Sequence, residues 1–295
     1  VAVALAAAAC SSGSGSGPTT TTLGLGLPTT SIPAVSRDGS IAAVVPPAVA
    51  ATGRLTVGTD PDSPPDEFLA PGGHTIVGMD VDLATAIGQV LGLKTTLVTT
   101  SRSTITGGVT GGRYDLGMST VSDTVAQQGP VDFVDYFLAG QGFFVRSGSG
   151  RIYMGLASLC GARVAVERGS VEQADVTAES ASCTQSGKGA ARVVVTSGLA
   201  GSAAAVSSGT AQVAFVTSQA ADFVVGQSHG RIAAGGQPIG LAPLGIVASA
   251  SGGLAQPVAS AVNTLISNGT YAAILSKWGV QSGAVPAATI NGATH

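Results

Sequence analysis

Apolar residues recur with helical spacing in Gly78–Leu93 (GMDVDLATAIGQVLGL). From Leu83 they fall at Ala86, Ile87, Val90 and Leu91, which lie on one face of a helix. Asp80 and Asp82 stand at its start, where the helix dipole favours negative charge, and Gly92 stands just past its end, where a left-handed stop is expected. RLTVG before this segment and TTLVT (Thr95–Thr99) after it read as short strands. The three pieces make a βαβ unit with parallel strands, and ordered structure is expected from about Gly53.

A second pattern occurs twice, as TGGRYDLGMSTVS in the first half and SSGTAQVAFVTSQ in the second. In each, a glycine-marked helix end leads into a buried strand, Asp115–Met118 or Gln212–Val216, that finishes in hydroxyl residues. Two lobes of like construction would give this, with polar residues just beyond the carboxyl ends of the strands, where open α/β sheets bind ligands. RVAVERGS, RVVVTSG and LGIVAS add further strands. Val258, Ala261, Val262, Leu265 and Ile266 mark one late helix, and Tyr271, Ile274, Leu275 and Trp278 a last one; both stripes read as core. The fold class is α/β.

With 295 residues, 44% of them apolar and 10% charged, the chain can form one large or two medium cores. A net charge of −3 and the lack of any Lys/Arg cluster exclude a nucleic-acid surface. Aromatic residues make up 4%, so burial is spread over many small contacts, and no fixed period recurs.

Cys10 ends VAVALAAAAC, an apolar run that reads as the tail of a secretory signal ending in a lipidation site. Ala7 stands where such sites carry Leu, so an ordinary cleaved signal with an incidental cysteine is the alternative. With neither Met nor a basic segment before it, the sequence reads as starting within that leader, residues 1–10. Residues 11–52, beginning SSGSGSGPTTTT, read as a flexible Ser/Gly/Thr/Pro tether. Acyl chains on Cys10 would hold the domain at the outer face of the cell membrane. Cys160 and Cys183 are an even pair in an exported domain, which favours a disulfide; without a nearby His or paired spacing they do not make a zinc site.

Little in the sequence supports catalysis or a cofactor. His74, His229 and His295 are far apart, with no partner at metal-ligand spacing. The Gly-rich tracts lack the strand and lysine of a phosphate loop, and no GxSxG elbow stands on a strand-to-helix turn. Asp115, Asp132 and Asp135 read as structural, and Asn268-Gly-Thr270 as a helix stop followed by a helix start. No metal or other cofactor is expected.

Taken together, LTVGTD, GMDVDLATAIGQVLGL, GGRYDLGMST, VDFVDYFLAG, LCGARVAVERGS and NGTYAAILSKWGV resemble the polar amino-acid-binding family of extracytoplasmic solute-binding proteins of ABC importers, over roughly residues 54–280. The resemblance implies a type II periplasmic-binding-protein fold of two α/β lobes joined by crossings near residues 139–147 and 241–249. Lobe 1 would comprise residues 53–142 plus 246–285, lobe 2 residues 143–245, and residues 286–295 a disordered tail. It also implies a monomer that hands a small polar ligand to a membrane permease with its ATPase.

The family grips the ligand carboxylate with an Arg, whose planar fork pairs both oxygens. Here Gln127 occupies the matching position. The two stacking aromatics match Ser63 and Arg102, and the acid that receives the ligand ammonium matches Thr217. The implied ligand set is Asp60, Ser63, Glu67, Phe68, Arg102, Ser119, Thr120, Ser122, Gln127, Ser170 and Thr217. Three readings stay open: Arg102 takes over the anion; an amino acid is still bound, with Asp60, Asp66 or Glu67 receiving its amine; or the cleft is degenerate and the chain serves as a sensor. A dehydratase, known on this fold, would need a buried acid, for which Glu67 and Glu167 are the candidates.

Overall fold

A computed structural model describes residues 26–294. Two short helices, α1 (Gly39–Ala43) and α2 (Pro47–Ala50), lead into β1 (Arg54–Thr59) and a small antiparallel sheet of β2 (Asp62–Ser63), β3 (Glu67–Leu69) and β4 (Ile76–Val77). Next come α3 (Met79–Leu91), β5 (Lys94–Thr99), α4 (Ile105–Thr110), β6 (Leu116–Gly117) and the 16-residue β7 (Val131–Arg146). The middle of the chain forms β8 (Arg163–Glu167), α5 (Val171–Gln185), β9 (Arg192–Thr196), α6 (Leu199–Ser208), β10 (Val213–Thr217), α7 (Ser218–Gln227) and β11 (Ile232–Ala234). The long β12 (Ile239–Ser249), α8 (Ala255–Ser267), α9 (Thr270–Trp278) and β13 (Ala284–Ile290) complete the described part.

One sheet runs through the molecule in the order β5-β1-β6-β12-β7-β10-β8-β9. In lobe 1, β1 is parallel to β5 and β6, while β12 and β13 run antiparallel to the first half of β7. In lobe 2, β8 is parallel to β9 and β10, and β10 and β11 pair with the second half of β7. β7 changes partners between Ala139, opposite Ala242 of β12, and Gln141, opposite Thr217 of β10. The chain therefore passes from one lobe to the other within the unbroken strand β7, whose residues Phe133–Phe137 are all buried.

α3 forms as the apolar spacing dictates, with Leu83, Ala86, Ile87, Val90 and Leu91 buried. It meets α8, whose Val258, Ala261, Val262 and Leu265 are buried in the same cluster. Each Leu, Ile or Val among them removed from water contributes roughly 1.5–3 kcal/mol. Gly92 closes α3 in the left-handed region at φ 72°. The Cys160–Cys183 disulfide ties the turn before β8 to α5.

Two expectations from the sequence are corrected. The tether expected over 11–52 is not free along its whole length: the Asp38 amide donates to the Val90 carbonyl at 2.9 Å, Val45 is 5% exposed, and Ile32, Val35, Ile41 and Val49 pack on the core. These apolar residues are sparse among polar ones, and they seat α1 on α3 and α8 and α2 on β1. The disordered tail expected over 286–295 is also overturned. β13 pairs with β7, the Phe133 amide donates to Asn291 Oδ1 at 2.8 Å, and Asp135 and Asp123 accept the amides of Gly292 and Ala293. Cys10 and its leader lie outside the described residues.

Candidate ligand cleft between the lobes

The carboxyl ends of parallel strands from both lobes meet around a cleft of about 380 Å³. That is the size of a site for a small organic molecule. Its first wall carries Asp62, Ser63, Pro64, Asp66, Arg102 and Thr120, from the segments that follow β1, β5 and β6. The second wall carries Glu167 to Glu172, where β8 turns into α5, and Val216, Thr217, Gln219 and Ala220, where β10 turns into α7.

Arg102 stands at the rim. Its guanidinium donates to Ser63 Oγ and lies 3.5 Å from Asp62, an exposed pair that binds weakly and leaves the fork free to turn to a ligand. Its amide donates to Asp60 Oδ2 at 2.8 Å. Asp60 thereby serves to fix the Arg102 turn. The Asp60 amide donates to Ser119 Oγ at 3.0 Å, and that hydroxyl donates to Glu67 Oε1 at 2.8 Å.

Behind this wall three carboxyls are buried together: Asp66 at 1% exposure, Glu67 at 0% and Asp80 at 1%. Tyr136 Oη donates to Asp80 Oδ1 at 2.6 Å. Burial raises the pKa of Asp80 to about 6, against the donors Tyr136, Glu67 and the Thr120 amide. Asp66 and Glu67 are pushed well above the carboxylate range, chiefly by burial and then by the charge of Asp80. Thr120 holds φ 47°, a strained conformation for a residue with a β-carbon, costing on the order of 1 kcal/mol or more. It aims the Thr120 amide at Asp80 while its hydroxyl stays buried and without a partner.

The second wall is made of helix starts. Ser170 caps α5 by accepting the Gln173 amide at 3.1 Å, and Glu172 sits in the first turn, 8% exposed, its pKa raised by burial. Thr217 is the residue before α7 and its side chain makes no cap bond. The amides of such helix starts attract negative charge. Gln219 of α7 spans the cleft and donates to Asp66 Oδ2 at 2.9 Å.

Of the residues implied by the resemblance, Ser63, Arg102, Thr120, Ser170 and Thr217 line the cleft. Asp60, Glu67 and Ser119 lie behind it and hold it in shape. Phe68, Ser122 and Gln127 are not at the cleft. The Phe68 ring meets Trp278 edge-on at 5.8 Å, Ser122 forms an exposed bridge to Leu244, and Gln127 is exposed, its Oε1 accepting from Thr124 Oγ1. The loop carrying Ser122 and Gln127 runs past the site because its Asp123 is drawn away to the Pro243 carbonyl and the Ala293 amide. The sequence reading missed Asp62, Arg168, Glu172 and Gln219 as cleft residues. The available signal was position: each follows a strand end by a few residues.

Two α/β lobes with a polar cleft at the strand ends of both define a ligand-capturing protein of the type II periplasmic-binding fold. The chain belongs to the bacterial extracellular solute-binding proteins, family 3, whose family model matches residues 55–281. It is similar to the arginine-binding protein ArgT of Corynebacterium glutamicum, 31% identical over 252 residues that span 85% of this chain and 82% of ArgT. Among solved structures, an ancestral cationic amino acid solute-binding protein is 25% identical with a TM-score of 0.65, over 82% of this chain and all of that one. The substrate-binding protein of a polar amino acid ABC uptake transporter from Streptococcus thermophilus, 18% identical, shares the fold at a TM-score of 0.67, over 81% of this chain and 90% of that one. No helix among the described residues is long and apolar enough to cross a membrane.

Proposed function

We propose that this protein captures an amino acid between its lobes and delivers it to an ABC permease, tethered to the outer face of the membrane through Cys10. The observation that carries the reading is the division of charge in the cleft. On the first wall the Arg102 guanidinium, held only by Ser63 and the exposed Asp62, stands near Thr120 and Asp66, and the acids Glu167 and Glu172 stand on the facing wall. An amino acid presents the complementary pair, a carboxylate for Arg102 and an ammonium for an acid. The names of ArgT and of the ancestral cationic amino acid-binding protein support the same ligand class. Contacts from both walls favour the closed arrangement, and that differential affinity drives the hinge. The chain acts by binding alone: the raised acids Glu67 and Asp80 lie off the cleft surface, bonded to Ser119 and Tyr136.

The test is thermal stabilisation of the protein by a panel of amino acids, organic acids and neutral polar solutes, repeated with Arg102→Ala. A ligand at a hundredfold its Kd adds about 2.7 kcal/mol, seen as a clear rise in Tm. Stabilisation by an amino acid that Arg102→Ala abolishes is the expected result. No stabilisation by any amino acid would sink the reading.

A further inference from the structure

Behind the first wall Asp66 Oδ1, Glu67 Oε2 and Asp80 Oδ2 are all buried without a hydrogen-bond partner, and of these three acids Asp66 alone lines the cleft. Asp66 Oδ2 accepts from Gln219, but Oδ1, with no accessible surface, has no hydrogen-bond partner. Asp80 accepts from Tyr136 through Oδ1 and Glu67 accepts from Ser119 through Oε1, and both lie off the cleft surface. Of the other aspartates of this loop, Asp60 is committed to the Arg102 amide and lies off the cleft surface, and the exposed Asp62 pairs with the Arg102 guanidinium.

We propose that Asp66 is the specificity-determining residue of the cleft, taking through Oδ1 the positively charged side-chain group, ammonium or guanidinium, of the captured amino acid. This rests on the amino-acid reading above. With the ligand carboxylate on Arg102, Glu172 on the facing wall is left for the α-ammonium, and Asp66 on the floor for a second cation. A neutral side chain in the same place would leave a buried carboxyl oxygen unpaired, and a site built to pair a polar group discriminates strongly against analogues that lack it. Because Asp66 is also bonded to Gln219 from the second lobe, the cation and the lobe contact share one carboxyl.

A proton is involved. Glu67 of β3, Asp80 of α3 and Tyr136 of β7 surround Asp66, with Gln219 of α7 and Arg102 beside it and Glu167, Arg168 and Glu172 across the cleft. Burial and the charge of Asp80 favour the protonated carboxyl in the empty site, against the weaker pull of Gln219 and Arg102. A bound cation reverses that balance, so binding releases a proton to solvent and affinity rises with pH.

The test is titration calorimetry of the protein with L-arginine and with L-citrulline, its uncharged near-isostere, in buffers of different ionisation heat, for wild type and Asp66→Asn. Expected are an arginine preference of about a hundredfold that falls to within about threefold in Asp66→Asn, and proton release by wild type on binding arginine. Equal binding of the two ligands by wild type, or a preference unchanged in Asp66→Asn, overturns the role of Asp66 and leaves amino-acid capture standing. No binding of any amino acid overturns both. Should Asp66→Asn fail to fold, the wild-type proton count decides: release supports the assignment, and heats independent of buffer overturn it.

Discussion

The two walls of the cleft are built by different means. The second wall is local: Ser170 and Glu172 follow β8 within a few residues, Thr217 and Gln219 follow β10, and their positions come from helix starts. The first wall is assembled from afar. Asp66, Glu67, Asp80, Ser119 and Tyr136 come from four separated parts of the chain and lie buried together, with Ser119 bonded to Glu67, Tyr136 to Asp80, and Gln219 of the other wall to Asp66. A wall made of helix ends offers dipoles at little cost. A wall made of buried carboxyls offers selectivity but depends on every partner.

The comparison predicts that damage to the first wall outweighs damage to the second. The largest effect is expected from Gly78→Ala. Gly78 holds φ 148°, and an added β-carbon would stand 1.9 Å from the Asp66 carbonyl oxygen, so the Asp66 turn must move. A loss of about 4 kcal/mol, together with loss of ligand binding, is expected by denaturant titration and calorimetry. Removing the disulfide by Cys160→Ser with Cys183→Ser costs roughly 3 kcal/mol by the chain-entropy estimate, since it closes a loop of separation 23. It should leave the preference among ligands unchanged, because the bridge lies in lobe 2 away from the cleft.

Tyr136→Phe withdraws a donor from the buried Asp80 carboxylate. About 1–3 kcal/mol is expected at pH 7 and less at pH 5, where a carboxyl of pKa about 6 is already protonated. The sign of the pH dependence follows from the same value. Asp80 holds its proton more tightly folded than unfolded, so its contribution to stability falls as pH rises from about 4 to about 6 and is flat above. Comparing Tm against pH for wild type and Asp80→Asn isolates that slope; a rise with pH in the difference would contradict it. The smallest effect is Ser170→Ala on the second wall, about 1 kcal/mol for a lost helix cap, measured by the same denaturant titration.

The difference between the walls also decides what could be read from the sequence. Periodicity in Leu83–Leu91 and the glycine at 92 mark α3 without ambiguity, and the hydroxyls that end two buried strands point to Thr120 and Thr217 because each is local to its strand. Phe68, Ser122 and Gln127 were placed by position in a loop, and a loop's path is set by contacts such as Asp123 with the Ala293 amide, 170 residues away. The carboxyl group was invisible for the same reason: Asp80 reads as a helix-start acid, and nothing in GMDVDL says that Tyr136, 56 residues on, donates to it. The docking of Val45 and of β13 went unread because short apolar runs among polar residues carry no period.

The most direct measurement is a crystal structure of the protein grown with L-arginine. The account predicts one ligand in the cleft, its carboxylate on Arg102 with Ser63 or Thr120, its ammonium facing Glu172, and its guanidinium on Asp66 Oδ1. A ligand whose carboxylate is held away from Arg102 and whose side chain turns from Asp66 toward solvent would contradict it.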